Sequence, residues 1–263
     1  MIPNVLSIAG SDPSGGAGVQ ADLKTFSALG AYGMAAITAL TAQNTKGVTG
    51  VFEVSPEFVV QQVAAVFDDI RVDAVKIGMA GSAATIDMLA DFLQQKKPPI
   101  FILDPVMVAQ SGDSLLSDAA VKRLVAGLLP LASVVTPNIP EAEVLLGKKY
   151  DGDMEGFARA ILKMGARAVL LKGGHLTGAV CRDVYADESG LSVFEEPRLE
   201  TKNNHGTGCT LASALAVFMA RGLPGDEAAR AAKKYVTHAL KESGRLSVGG
   251  GAGPVNHFHA LWR

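Results

Sequence analysis

The feature that most constrains the fold is an alternation of short, mostly apolar runs with longer amphipathic stretches. Apolar runs of this length indicate strands buried on both faces, and the amphipathic stretches indicate helices that cover those faces. The predicted strands are 4–10, 34–40, 74–78, 100–104, 133–138 and 168–174. The predicted helices include 18–29, 56–68, 82–95, 117–129 and 153–164. This order predicts an α/β fold with a mostly parallel sheet.

The second part of the chain departs from this alternation. Residues 183–199 are typical of an antiparallel hairpin that turns at Glu188-Ser189-Gly190, and helices are predicted over 208–221 and 226–242. No linker, low-complexity tract or internal repeat interrupts the 263 residues, so a single domain over 1–263 is expected. With 48% hydrophobic and 19% charged residues, the chain can fill a large core.

Composition also excludes several classes of partner. The formal net charge is −2 without a basic cluster, so no nucleic-acid partner is expected. No apolar run is long enough to span a bilayer, so no membrane association is expected either. Cys181 and Cys209 give no disulfide framework, which favours a reducing cytoplasm.

Residues 10–18 form a glycine-rich turn between a predicted strand and a predicted helix. A phosphate-binding loop would need Lys and Ser or Thr where Gly16 and Ala17 stand, and a dinucleotide fingerprint lacks its acid about 20 residues further on. The turn therefore either brings backbone close to a ligand or is only a tight connection. Asp22, one turn into the helix, either accepts hydrogen bonds from a polar ligand or interacts with the helix dipole.

Polar residues follow several other predicted strands, where ligands bind in open α/β sheets. Gln43 carries a donor and an acceptor that match an aminopyrimidine edge, unless it belongs to a solvated turn. Asp104, Asn138 and Glu141 offer oxygen atoms for Mg²⁺, although Asp104 also suits a turn and Glu141 a helix start. Lys172 ends a strand and can neutralise a phosphate.

The segment 205–209, His-Gly-Thr-Gly-Cys, precedes a run of small apolar residues. A helix that begins near Gly208 would point the backbone N–H groups of Gly206, Thr207, Gly208 and Cys209 toward an anion. A cysteine at this position is expected to have a lowered pKa, unless it is a buried structural thiol.

Taken in order, these motifs resemble the hydroxymethylpyrimidine/phosphomethylpyrimidine kinases of thiamine biosynthesis, within the ribokinase-like superfamily. The motifs are AGSDPSGGAGVQADLKTFSALGAYG, TAQNT, KIGM, LDPVM, TPNIPEA, KGGH, HGTGCTLASALA and GPVNHFHA. The resemblance extends from residue 5 to residue 260. It implies a three-layer α/β domain without a large lid, a homodimer, and two successive phosphorylations of an aminopyrimidine alcohol that use ATP and Mg²⁺.

The resemblance also implies roles for individual residues. The positions that match the substrate pocket are Gly10, Asp22, Gln43, Met79 and Val106. Asn138 and Glu141 match the superfamily's N-x-x-E motif for Mg²⁺ and phosphate, and Asp104 is expected to assist the metal. Lys172 is expected to contact the nucleotide phosphates, and the anion hole is expected at Gly206, Thr207, Gly208 and Cys209.

Two residues depart from the superfamily pattern. Cys209 stands where sugar kinases of the superfamily usually have an Asp base, and Asn204 stands where Thr is more usual. A pyridoxal kinase of the same superfamily is the nearest alternative, and Gln43 favours the pyrimidine. A non-catalytic pyrimidine-binding sensor is a further alternative, and the failed fingerprint disfavours a dinucleotide-dependent oxidoreductase.

Overall fold

Residues 1–107 and 116–262, which the computed structural model describes, contain ten strands and eight α-helices. The strands are β1 (Asn4–Ala9), β2 (Tyr32–Ile37), β3 (Ala39–Asn44), β4 (Gly47–Glu53), β5 (Ala74–Ile77), β6 (Phe101–Leu103), β7 (Val134–Val135), β8 (Ala168–Lys172), β9 (Val180–Asp187) and β10 (Gly190–Pro197). The helices are α1 (Gly18–Ala28), α2 (Pro56–Asp69), α3 (Ala83–Lys96), α4 (Asp118–Arg123), α5 (Ile139–Leu146), α6 (Met154–Leu162), α7 (Thr207–Ala220) and α8 (Gly225–Lys241).

Eight of these strands form one sheet in the order β10-β9-β8-β7-β6-β5-β1-β2. The six strands from β8 to β2 pair in parallel, and the β9–β10 hairpin adds two antiparallel strands at one edge. The chain leaves β1 toward β2 on one side and later returns to β5 on the other. A crevice therefore opens between the loops that follow β1 and β5, which is where ligands bind in sheets of this kind.

Helices cover both faces of the sheet and divide the core into two clusters. On one face Val59, Ile86 and Phe157 bring α2, α3 and α6 against the strands. On the other face Phe26 and Leu215 bring in α1 and α7, with α8 packed beside them. The mostly parallel sheet between two helical layers confirms the predicted fold class.

The predicted strand 34–40 is in fact two strands that belong to different sheets. After β2 ends at Ile37, the chain enters β3, whose one partner among the described strands is β4, in a separate two-stranded sheet. Gln43 lies within β3, so the alternative of a solvated turn at this residue does not hold. Leu40 and Phe52 face each other across this hairpin, and both side chains are exposed. Apolar residues in this hairpin therefore do not indicate a buried strand.

The helix predicted over 117–129 begins as expected but changes its winding. Ser117 caps α4 by accepting a bond from the backbone of Ala120. The chain then continues as a π-helical turn over Leu124–Leu128 and a 3₁₀ turn over Leu129–Leu131. Pro130 lies in this 3₁₀ turn and has no backbone N–H to donate to an α-helical bond. Helix α5 follows β7 after three residues, which agrees with the alternative that Glu141 stands at a helix start.

Candidate active site

A cavity of about 590 Å³ lies beyond the carboxyl ends of the parallel strands. Its wall is formed by the loops after β1, β5, β6, β7 and β8, by part of β3, by the start of α7 and by one side of α8. The predicted site residues that line it are Gly10, Gln43, Met79, Asp104, Val106, Asn138, Glu141, Lys172, Gly206, Thr207, Gly208 and Cys209. Asp22 is the predicted residue that does not reach the cavity.

The start of α7 forms one end of the cavity. Gly206 precedes the helix with a φ of 77°, and the backbone of Gly16 occupies the space that a Cβ at this position would need. Only glycine fits such a turn without strain. The first turn of α7 contains no acidic residue, so nothing within the helix offsets its positive end. The N–H of Thr207 donates to the Asn204 carbonyl at 3.4 Å, so the N–H groups of Gly208 and Cys209 are the ones placed to bind an anion.

A lysine and two carboxylates lie beside this helix start. Lys172 Nζ is 2.8 Å from Asp104 Oδ1 and 4.0 Å from Glu141 Oε2, and it would lie 3.3 Å from a Cβ built on Gly208. Burial opposes the charged form of Lys172, but attraction to Asp104 and Glu141 raises its pKa. Lys172 is therefore a fixed cation next to the start of α7.

The two carboxylates differ in how they are satisfied. Asp104 Oδ1 accepts bonds from Lys172 and from the Thr136 hydroxyl, whereas Oδ2 has no partner among the described residues. Burial would raise the pKa of Asp104, but Lys172 and Lys76 hold it low. Burial raises the pKa of Glu141 to about 7, against the attraction of Lys172 and with the help of the Asp104 charge.

Asn138 and Glu141 form the capping box of α5. Asn138 Oδ1 accepts a 2.9 Å bond from the Glu141 backbone, and Glu141 Oε2 accepts a 2.8 Å bond from the Asn138 backbone. This reciprocal pair fixes both side chains at the cavity wall. The capping box occupies Asn138 Oδ1, so the oxygen that is open to a further ligand is Asp104 Oδ2.

Cys209 lies in the first turn of α7 and lines the cavity. Burial raises the pKa of its thiol to about 11, although Lys76 opposes this shift. The charges of Asp22 and Asp104 raise it further. The prediction of a lowered pKa is therefore wrong, because desolvation and two carboxylates outweigh the helix dipole and the lysine. The thiol is neutral at physiological pH.

Asp22 is fully buried beneath the cavity. Its carboxylate is bound at 2.9 Å by the equally buried Lys76 ammonium, and the hydroxyls of Ser7 and Ser213 donate to it at 2.6 and 2.7 Å. These contacts join β1, α1, β5 and α7. The predicted direct contact between Asp22 and a substrate conflicts with this placement, because its oxygens already have internal donors.

Two polar residues of the cavity were missed in the sequence. Asp12 Oδ2 lies 2.7 Å from His205 Nε2, and both side chains are almost fully buried. Burial would raise the pKa of Asp12, but hydrogen bonds from His205, Ser14 and Ala17 lower it to about 2. A signal was present, since Asp12 lies in the loop after β1 and His205 directly precedes the glycine at the start of α7. The two residues are 193 positions apart in the sequence, which concealed the pair.

A second pair lies in the part of the cavity formed by β9 and α8. Lys233 Nζ is 2.8 Å from Asp183 Oδ2 and 3.3 Å from Cys181 Sγ, and Asp183 Oδ1 accepts a bond from the Gly173 backbone. This arrangement holds the loop after β8 against the hairpin. The sequence pattern gave no sign of it, because each residue lies within a regular element.

The segment around residues 253–257 packs against the helix start. The His205 backbone donates to Gly253, and the Thr210 hydroxyl lies 3.1 Å from His257 Nε2. The Tyr235 hydroxyl donates to the His257 carbonyl at 2.6 Å. His257 and His259 form no metal site: in the described ranges, no three His, Cys, Asp or Glu side chains are arranged to hold a metal.

No helix within 1–107 and 116–262 combines the length and the apolarity needed to cross a bilayer.

A family model described as phosphomethylpyrimidine kinase matches residues 12–256. The hydroxymethylpyrimidine/phosphomethylpyrimidine kinase of Rhizobium meliloti is 53% identical over 261 residues, which cover 98% of each chain.

Two solved structures share the fold. A Bacillus subtilis pyridoxal kinase in complex with ADP has a TM-score of 0.92 at 35% identity and covers 100% of both chains. A phosphomethylpyrimidine kinase from Clostridium difficile has a TM-score of 0.81 at 44% identity and covers 90% of this chain and 99% of its own. The similarity confirms the ribokinase-like fold class.

Proposed function

Because the chain belongs to the phosphomethylpyrimidine kinase family, we propose that it phosphorylates 4-amino-5-hydroxymethyl-2-methylpyrimidine in two steps. ATP donates a phosphoryl group first to the hydroxymethyl oxygen and then to the resulting monophosphate. The product serves thiamine biosynthesis, as the relatives' names indicate. The proposal treats residues 1–263 as one kinase domain, since the strands of the main sheet are drawn from residues 4 to 197.

The observation that carries the proposal is the positive end of α7 with Lys172 beside it. Phosphoryl transfer requires in-line positioning and stabilisation of negative charge more than covalent chemistry. The backbone N–H groups of Gly208 and Cys209 would donate to the transferring group, and Lys172 would donate to the nucleotide phosphates. Both are fixed before the reaction, so they stabilise charge without reorganising.

The acceptor is held where its reacting oxygen meets the same helix start. Gln43, Met79 and Val106 line the cavity and would contact the pyrimidine ring. Because the Cys209 thiol is neutral, it is a poor base, so the hydroxyl proton would pass to an oxygen of the transferred phosphoryl group as the bond to phosphorus forms. The neutral sulfur also does not repel a phosphate acceptor, as the Asp of sugar kinases would. Cys209 therefore serves both acceptors.

The residues also fit a Mg²⁺ ion. Asp104 has a buried oxygen without a partner, and Mg²⁺ commonly binds through one or two carboxylates together with water and substrate phosphates. Asp104 would hold the ion, and Glu141 and Asn138 would contact its water from their fixed positions at the start of α5. When bound, the ion neutralises charge on the phosphates.

Pyridoxal is the second candidate acceptor, because the solved pyridoxal kinase structure is so similar over the whole chain. The two candidates differ at the ring edge that Gln43 would contact. Turnover of pyridoxal measured beside that of the aminopyrimidine decides between them.

We also propose that the protein forms a homodimer in the cytoplasm. Leu40 and Phe52 are 47% and 70% exposed on the β3–β4 hairpin, and Phe58 at the start of α2 is 56% exposed. A second copy would cover such side chains. Sedimentation of the Phe52→Glu variant tests this, since it should be monomeric.

The free thiols of Cys181 and Cys209 suit a reducing compartment, which cell fractionation tests.

Product analysis with the aminopyrimidine alcohol, ATP and Mg²⁺ tests the activity. The monophosphate should appear first and the diphosphate second. Lys172→Met should abolish both, whereas Lys149→Met, on a lysine 91% exposed, should leave them unchanged. A reaction that stops at the monophosphate contradicts the two-step assignment, and no ATP consumption contradicts the proposed substrate.

A further inference from the structure

The Gln43 amide lies between two polar groups whose hydrogen positions can be deduced. One end of the amide is 3.2 Å from Thr41 Oγ1, and the other end is 3.4 Å from His205 Nε2. An amide presents oxygen at one end and nitrogen at the other, and a half-turn exchanges them. The hydrogens on Thr41 and His205 therefore decide which ends of the amide meet them.

His205 Nε2 must carry a hydrogen. Its neighbour at 2.7 Å is the Asp12 carboxylate, which also accepts bonds from the Ser14 hydroxyl and from the backbone of Ser14, Gly16 and Ala17. An ionised carboxylate only accepts, so the nitrogen facing it is the donor. This holds whether the imidazole ring is neutral or charged. His205 Nε2 therefore has no lone pair for an N–H of Gln43.

Thr41 has the opposite character. Its hydroxyl donates a 2.8 Å bond to the Ser11 carbonyl, so its oxygen is left as an acceptor toward Gln43. If the amide nitrogen of Gln43 pointed toward His205, two N–H donors would face each other there, and two oxygen acceptors would face each other at Thr41. A half-turn lets Nε2 of Gln43 donate to Thr41 Oγ1 and places Oε1 against the N–H of His205, whose hydrogen it then shares with Asp12.

We propose that Asp12 and His205 are positioning residues that orient the Gln43 amide and so set the specificity of the site for a ring with a donor beside an acceptor. The inference rests on the proposed function, because the 4-amino group and the adjacent ring nitrogen supply that edge. The oriented amide retains one N–H and one oxygen lone pair for the ring. A ring without the amino group leaves the amide oxygen short of a partner.

The test compares binding of 4-amino-5-hydroxymethyl-2-methylpyrimidine with binding of 5-hydroxymethyl-2-methylpyrimidine, which lacks the amino group, by calorimetry. His205→Leu should weaken the amino compound about tenfold to hundredfold and leave its analogue within about twofold. His205→Gln, whose amide nitrogen can replace Nε2 against Asp12, should restore most of the loss. Thr41→Val removes the contact at the other end and should reduce the same discrimination.

A double-mutant cycle separates positioning from folding. In a Gln43→Ala background, His205→Leu should change the affinity for the amino compound by no more than about twofold. Equal weakening of both compounds by His205→Leu, or a full effect in the Gln43→Ala background, would overturn the inference. If His205→Leu fails to fold, unchanged discrimination in Thr41→Val overturns it instead. Failure of the wild-type protein to bind the amino compound would count against the proposed function before any variant is measured.

Discussion

Asp22→Asn removes the negative charge from the buried ion pair beneath the cavity. Both partners are 0% exposed, and Lys76 Nζ lies 2.9 Å from each carboxylate oxygen. The substitution leaves the Lys76 ammonium buried without its bonded counter-charge. Because Ser7 and Ser213 also donate to this carboxylate, the change weakens the contacts among β1, β5, α1 and α7 together.

The size of the effect follows from the geometry. At 2.9 Å and an effective dielectric constant of about 20, the attraction is about 6 kcal/mol, and the desolvation of two ions offsets part of it. Removing one partner of a buried pair typically lowers the free energy of unfolding by about 3–5 kcal/mol. For a domain of this size we expect a melting temperature lower by about 6–10 °C.

Thermal and denaturant unfolding of four proteins tests this: wild type, Asp22→Asn, Lys76→Met and the double variant. The double variant should be more stable than either single variant, since it buries no unpaired charge. As a control, Asp68→Asn removes the exposed Lys96–Asp68 pair and should change the free energy of unfolding by less than about 1 kcal/mol. A loss in Asp22→Asn as small as in the control, or additive losses in the double variant, would refute the reasoning.

Three further predictions concern the cavity. Gly206→Ala should lower kcat and destabilise the fold by about 1–3 kcal/mol, because residue 206 has a positive φ and a Cβ there would meet the Gly16 backbone. Steady-state kinetics and denaturant unfolding measure both effects, and wild-type values for the variant would contradict the prediction. Since burial raises the pKa of Glu141 to about 7, its proton stabilises the fold at low pH, and that contribution is lost as the pH rises through about 7; unfolding midpoints of Glu141→Gln should lack this decline. Cys209→Asp should slow the monophosphate acceptor more than the alcohol, and equal losses with both acceptors would contradict the role given to the neutral thiol.

The sequence was sufficient for the parallel sheet and for most of the cavity wall. Strand β6 is apolar throughout, so it must be buried on both faces, and the carboxyl ends of parallel strands lie on one side of the sheet. Residues that follow those strands, such as Asp104 and Lys172, are therefore brought together by topology alone.

What escaped prediction depends on contacts between distant elements. Hairpin β3–β4 leaves the main sheet, and local pattern carries no sign of which partner a strand will choose. The pKa of Cys209 depends on burial and on charges from α1, β5 and the end of β6, which outweigh its place on the helix. Asp22 lies on the buried face of α1 because Lys76 and two hydroxyls satisfy it there.

The pairing of His205 with the Gly253–Pro254 segment has a consequence for how the protein is made. A ribosome synthesises the helix start well before the residues that hydrogen-bond to it, and domains fold as units while synthesis proceeds from the N-terminus. A nascent chain that has reached only α8 can already hold the sheet and Lys172, but it lacks the Gly253 carbonyl and His257. Competence to bind phosphate is thus expected to arise late in synthesis, after the rest of the fold has formed.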